Sequence, residues 1–379
     1  MAPAMIEDHG NNNQGHDIVS TARTAKSSPE PFNPDKHLAY QPPSRTHTLK
    51  DLHLDESPIS PIGSTDPFPF LSAEGVRAFR RELFSPDVLA NCMYHTRAGS
   101  VQIRGMAPRY APFTHGFWTS PEVIGIMSNL AGVDLVPVMD HEIAHINVQL
   151  GPNGVDGVKD TPVEPPEAPQ LSQINDQTPK VPKVDALVPW HRDSHPFVCV
   201  VMLSDARYMT DGETELRKGD GTTIKVKSPG IGGAVVLQGR HVSHLAIPAG
   251  NMPERITMVT SFRPRSPLLL DDSTCMNVRT KSCLPELYYQ WTEYRLRLLS
   301  QRFQHEADSL RTRYMDAVRR TDPDGLPGHC LEETVNIDYM KNWMEEQMQY
   351  MRQTLFEMRP VTAEDNFLKD TIERGDLLI

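Results

Sequence analysis

Two short strings in this chain bring histidines and a carboxylate near enough to each other for metal chemistry. The first, HEIAH at 141–145, fits H-E-x-x-H. On a helix that pattern sets two imidazoles one turn apart, about 6 Å between Cα atoms, so that both reach one zinc ion while the glutamate acts as base. The second, HRDSH at 191–195, puts His191 two residues before Asp193. Two more histidines follow in GRHVSHLAIP, at His241 and His244, and RITMVTSF then carries Arg255 and Thr257.

The secondary structure under each string separates the possibilities. After Ile143 the chain alternates: Ala144, Ile146, Val148 and Leu150 are apolar, while His145, Asn147 and Gln149 are polar. A period of two marks a strand. Positions four apart on a strand lie ~13 Å apart, so His141 and His145 could not share a zinc ion. The extended peptidase pattern also fails, with Val148 where a glycine is wanted and Gly151 where a third histidine is wanted. The zinc peptidase is therefore the weaker alternative. In the strand reading His145, Asn147 and Gln149 face a cavity, and Asn147 is a candidate ligand contact there.

HRDSH precedes an apolar run, PFVCVVML, that suits a buried strand. His191 and Asp193, two apart at its mouth, would leave one face together. A third ligand would come from His241 or His244, and His244 is preferred because it lies nearer Arg255. Two histidines and one carboxylate on one face of a metal leave the opposite positions open, which suits non-haem Fe(II). His195 is assigned a supporting role. His-Arg-Asp also occurs in the kinase catalytic loop, but Val198 stands where that loop needs asparagine and no D-F-G follows. Arg255 and Thr257 share a strand face, and a guanidinium with a neighbouring hydroxyl can hold a carboxylate.

In this order and spacing, His191-Arg192-Asp193, then His244 fifty-one positions later, then Arg255-Ile256-Thr257, the chain resembles the Fe(II)- and 2-oxoglutarate-dependent oxygenases. The phrases VPWHRDSHPFVCVVMLSD, GGAVVLQGRHVSH and RITMVTSFRPRSP resemble an uncharacterised fungal branch of that family. The resemblance implies an α+β protein with a double-stranded β-helix (jelly-roll-like) core, N-terminal helices and a long C-terminal helical extension. It implies Fe(II) on His191, Asp193 and His244, with 2-oxoglutarate held by Arg255 and Thr257, and O2 as co-substrate. The implied reaction oxidises a C–H bond of a small molecule, an amino acid or secondary metabolite, and releases succinate and CO2. In related halogenases a small residue replaces the carboxylate ligand; Asp193 favours hydroxylation or another C–H oxidation. A non-catalytic β-helix protein that binds metal and ligand is the alternative from another class.

The elements that must position these residues are legible in part. Residues 1–65 are rich in Asn, Ser, Pro and charge and read as disordered. The oxygenase domain is expected over 66–267, with a proline-rich loop at 152–189, and a helical extension over 268–379. Ser72 can cap a helix carrying Val76, Phe79 and Leu83. Ser120, Pro121 and Gly132 mark the start and end of another. ETELRKGDGTTIKVK reads as a hairpin turning at Gly219-Asp220-Gly221, and GGAVVLQG as a strand. Two long helices close the chain. One carries Leu299, Phe303, Ala307, Leu310, Tyr314 and Ala317, the other Met340, Met344, Met348, Met351, Leu355 and Met358. The methionine stripe is expected to pack inward, and these helices are a candidate homodimer face.

Bulk properties exclude other classes. At 379 residues the chain can bury a core without disulfides. A net charge of −11 argues against a nucleic-acid surface. The cysteines, Cys92, Cys199, Cys275, Cys283 and Cys330, form no C-x-x-C pair, which suits a reduced cytoplasmic protein. No apolar run is long enough for a membrane span, and the amino terminus lacks a secretory signal.

Overall fold

The computed structural model describes residues 30–97, 100–150, 153–166, 188–207, 209–250, 254–328 and 330–361. In chain order the elements are α1 (Pro34–His37), β1 (Thr46–Thr48), β2 (Ile62–Thr65), β3 (Phe68–Pro69), α2 (Ala73–Leu83) and α3 (Pro86–Cys92). β4 (Met93–Arg97), β5 (Ser100–Ile103), α4 (Pro112–Trp118), α5 (Pro121–Ala131), β6 (Leu135–Pro137) and β7 (His145–Gln149) follow. Next come β8 (Val188–His191), β9 (Phe197–Met202), β10 (Thr214–Arg217), β11 (Thr223–Val226), β12 (Gly233–Leu237), β13 (His244–Ala246) and β14 (Arg255–Pro264). The helices α6 (Leu284–Thr321) and α7 (Ile337–Glu357) end the described chain.

The strands form two antiparallel sheets. The larger runs β1-β2-β12-β9-β14-β7-β5-β4, with β3 on β12 and β6 on β14. The smaller runs β11-β10-β13-β8. One face of the large sheet carries the main core, where Phe79, Phe113, Phe117 and Trp118 from α2 and α4 pack with Ile146, Val201 and Phe262 from the strands. Burial of each such aromatic contributes roughly 1.5–3 kcal/mol. The other face meets the small sheet. There Val198, Val235 and Leu237 close on Leu216 and Val242, with Leu49 and Leu52 from the amino-terminal segment.

Local signals explain the helices around this core. Ser72 Oγ accepts from Gly75 N, and Ser120 Oγ accepts from Val123 N, as N-caps do. Gly132 ends α5 in the left-handed region at φ 67°, which glycine adopts without cost. Arg80 of α2 is fully buried and grips both carboxylate oxygens of Glu254 at 2.6 and 2.9 Å. Ser204 Oγ donates to the same carboxylate and accepts from Ile256 N, so the start of β14 is fixed from two sides.

Three expectations need correction. Residues 30–65 are not disordered: β1 and β2 extend the large sheet, and Leu49 and Leu52 are buried. Composition misled there because a few apolar side chains suffice when a neighbouring strand, β12, supplies the pairing. The middle of the methionine stripe faces outward, while Met340 and Met358 are half-buried and Met358 packs against the cluster around Trp291. Met344, Met348, Met351 and Leu355 are exposed, and α7 packs instead through Gln347, Tyr350, Thr354 and Glu357. Polar groups hold that contact: Trp291 Nε1 donates to Thr354 O, Arg295 donates to Thr354 Oγ1, and Arg295 lies over the Tyr350 ring. On α6 the expected stripe holds at Leu299 and Ala317 but not at Phe303 or Ala307. The larger part of the proline-rich loop lies outside the described residues. Among the described residues no helix is long and apolar enough to cross a membrane.

Candidate metal centre

His191 ends β8 and His244 begins β13, and the two are register partners across the small sheet. Their rings lie 4.2 Å apart. Asp193 sits on the segment that crosses from β8 to β9, between the two sheets. It is therefore not on one strand with His191 as expected; the carboxylate meets the imidazole because the chain turns from one layer into the other. Asp193 Oδ1 is 3.5 Å from His191 Nε2, and Oδ2 is 3.6 Å from His244 Nε2. Ligand atoms from all three residues lie within 4.8 Å of one another. This is the one group of three metal-capable side chains among the described residues. His241 is half-buried and stands outside it.

The donor set is chemically prepared. His191 Nδ1 pairs with Pro189 O at 2.8 Å and His244 Nδ1 with Val242 O at 3.1 Å. A carbonyl fixes the proton on each Nδ1, so both Nε2 lone pairs face the carboxylate, an arrangement typical of metal-binding histidines. Asp193 Oδ2 is buried and has no hydrogen-bond partner among the described residues. Burial alone would raise the Asp193 carboxyl, but the His244 and His191 imidazoles outweigh it and hold it below the usual carboxylate range. Burial lowers the His244 imidazole, which favours the neutral ligand form. These residues fit a divalent metal ion.

The backbone holds the carboxylate by several tethers. Asp193 N donates to Gly239 O at 2.9 Å, just past β12 of the large sheet. Asn277 Nδ2 donates to Arg192 O at 2.7 Å, Asn277 N donates to Ser194 Oγ, and Thr274 N donates to Ser194 O.

The cavity at this centre, about 90 Å³, is walled by both sheets. Arg255, Thr257, Val259 and Ser261 of β14 face it, every second residue as the pleat dictates. Arg255 is buried, and its Nε donates to Gly212 O at 3.1 Å. Burial pulls its guanidinium down to about 10, against the pull of Glu213, so it stays charged at neutral pH. Register places Thr257 beside Asn147 and Asn147 beside Gln102, a polar row across β14, β7 and β5. All three line the cavity. His145 lines it too, whereas Gln149 is turned to Ala249, donating to its carbonyl and accepting from its N–H.

HEIAH does not make a second metal site. His141 and Glu142 lie in a single 3-10 turn (Asp140–Glu142), Ala144 takes φ 59°, and β7 starts at His145. The pair has no helical turn between it. Glu142 instead forms a buried ion pair with Arg104 and stands 3.4 Å from His195 Nε2. Burial would raise the Glu142 carboxyl, and Arg104 with His195 overrides this and brings it down to about 2. Arg104, Gln102, Asn277 and Lys281 were not singled out in the sequence. A signal existed for two of them: Ser100, Gln102 and Arg104 alternate with Val101 and Ile103.

No protein-family model matches the chain, and no curated protein matches it. Solved structures similar to it include an oxidoreductase of the 2OG-Fe(II) oxygenase family from Burkholderia pseudomallei, at 11% identity over 46% of this chain and 74% of that one, with a TM-score of 0.30. A Pseudomonas putida prolyl-4-hydroxylase matches at 18% identity, covering 52% and 89%, with a TM-score of 0.29. The non-heme alpha ketoglutarate dependent epimerase SnoN from nogalamycin biosynthesis matches at 14% identity, covering 54% and 78%, with a TM-score of 0.35. These likenesses are distant.

Proposed function

We propose that this chain is a non-haem Fe(II) oxygenase that uses 2-oxoglutarate and O2 to oxidise a C–H bond of a small molecule. One observation carries the reading: the two imidazoles and carboxylate of His191, Asp193 and His244 open into the same cavity as Arg255 and Thr257. A structural zinc site would be closed by four ligands and would need no buried guanidinium beside it. In this reading the two facing sheets are a double-stranded β-helix.

Each residue then has a defined task. His191, Asp193 and His244 would hold the iron, a donor set of the kind that suits non-haem Fe(II). Arg255 takes the far carboxylate of 2-oxoglutarate through parallel hydrogen bonds, and Thr257 adds a hydroxyl. Asn147, next to Thr257 in the polar row, contacts the same co-substrate. The chemistry such an iron would supply with 2-oxoglutarate and O2 is oxidation of the substrate C–H bond, with succinate and CO2 as co-products. The narrow cavity suits an amino acid or secondary metabolite better than a folded partner.

The test is anaerobic addition of Fe(II) and 2-oxoglutarate, followed by O2. A visible charge-transfer band should form, succinate should accumulate on aeration, and Asp193→Ala should lose both. Failure of the band to form overturns the reading; a band without succinate would leave a binding protein.

A further inference from the structure

We propose that the organic substrate presents a neutral hydrogen-bond donor, an amide N–H or a hydroxyl, to Gln102 and Asn277 beside the metal centre. This rests on the function proposed above and adds the chemical class of the molecule oxidised.

Both side chains line the cavity that holds the metal ligands. Asn277 is locked in orientation: its Nδ2 is engaged by Arg192 O, which leaves Oδ1 as the free end. Among the described residues that Oδ1 has no hydrogen-bond partner and is buried. Gln102 is 5% exposed, and its Oε1 is likewise buried without a partner. A buried acceptor left unpaired costs about 1–3 kcal/mol, so two on one cavity wall call for a donor from a ligand.

Charge narrows the class. A carboxylate or phosphate would be repelled by the two acceptor oxygens. An ammonium group would meet Arg104 and Lys281 on that lining, and the Glu142 carboxylate there is already taken by Arg104. The same field is felt by His145, which burial, then Arg104 and Lys281, keep well below its ordinary value. An apolar group would leave both acceptors unsatisfied. A neutral donor meets all three conditions, and an amide also matches the donor that Gln102 itself offers.

Position supports the assignment. Gln102 stands two strands from Thr257 in the row Gln102-Asn147-Thr257, about 10 Å at the usual strand spacing. A co-substrate on Arg255 and Thr257 would leave Gln102 to the second molecule, with Asn147 between them.

The experiment uses the full chain loaded with Mn(II) and 2-oxoglutarate, reading relaxation of probe protons by the paramagnetic ion. Acetamide is compared with methyl acetate, and ethylene glycol with its dimethyl ether. The donors should be relaxed about fivefold more than their blocked counterparts, the worth of one hydrogen bond. Gln102→Leu should shrink that difference, leaving only the share of Asn277, while the methylene protons of 2-oxoglutarate stay strongly relaxed. Equal relaxation of donors and blocked probes overturns the inference. So does relaxation of the co-substrate with none of any probe, or a difference that is undiminished in Gln102→Leu. If 2-oxoglutarate itself is not relaxed in the unsubstituted protein, the proposed function fails and this inference falls with it.

Discussion

Gly239 and Asp193 are in direct backbone contact, and the fit leaves no room for a side chain. Asp193 N donates to Gly239 O, and a methyl group at 239 would lie 2.7 Å from both Cβ and Oδ2 of Asp193. Gly239→Ala should therefore displace the carboxylate without touching any core side chain. Metal affinity should fall about 10- to 100-fold, as for loss of an outer-shell support, while the fold persists. A metal titration checks it; affinity equal to that of the unsubstituted protein contradicts the assignment of Asp193 as a ligand.

Arg255→Met separates the two halves of the site. Its guanidinium is buried and aimed at the cavity, but it lies outside the metal group. Binding of 2-oxoglutarate should weaken by roughly 30- to 5,000-fold, the range for truncating one partner of a buried charge pair. Metal binding should be unchanged. Calorimetric titration of each ligand reads both.

Arg80→Ala should destabilise the fold by about 3–5 kcal/mol, because it leaves Glu254 enclosed without its cation. Since Glu254 precedes Arg255, the variant should also loosen the start of β14. Chemical denaturation measures the first effect, and hydrogen exchange at Arg255 and Ile256 the second.

Acid should weaken the protein through His141. Burial, aided by Arg104, lowers its imidazole from 6.5 to about 4, and neither ring nitrogen has a hydrogen-bond partner among the described residues. An unfolded chain takes up this proton near 6.5 and the folded one only near 4. As pH falls through that window the unfolded state gains protons that the folded state does not, and stability declines. The contribution is on the order of 3 kcal/mol, present in full above the window and lost below it. Denaturation at pH values spanning the window should show a shallower decline in His141→Asn; an equal decline would reject the assignment.

Replacing Met344, Met348 or Met351 with serine should change stability by no more than about 0.5 kcal/mol each, as at ordinary surface sites. Thr354→Val, on the packed side of α7, should cost more, because it strips the hydroxyl that accepts from Arg295. Thermal melts of the four variants distinguish the two faces.

Which side chains meet was easier to read from the sequence than how the chain brings them together. His191, Asp193, His244, Arg255 and Thr257 were legible because ligand types and strand periodicity are local properties. The reason given for the first pair was wrong, since no pattern within HRDSH reveals that the chain changes sheets there. Gln102, Arg104 and Asn277 are separated from the motif by dozens of residues and become neighbours through strand register and a returning loop. Glu142 was read only as the base of the weaker peptidase alternative; the fold shows that Arg104 meets it. The outward methionines were misjudged because α7 packs through Gln347, Thr354 and Glu357, which a hydrophobic stripe cannot announce.

The two candidate imidazole ligands ride on one layer of the sandwich, and the carboxylate is moored to the other through Gly239. A small slip between the layers would pull the triad apart while leaving each sheet's own hydrogen bonds whole. An ion held by all three acts as a rivet through both plates, so the strength with which this protein grips metal doubles as a gauge of how well its halves stay aligned.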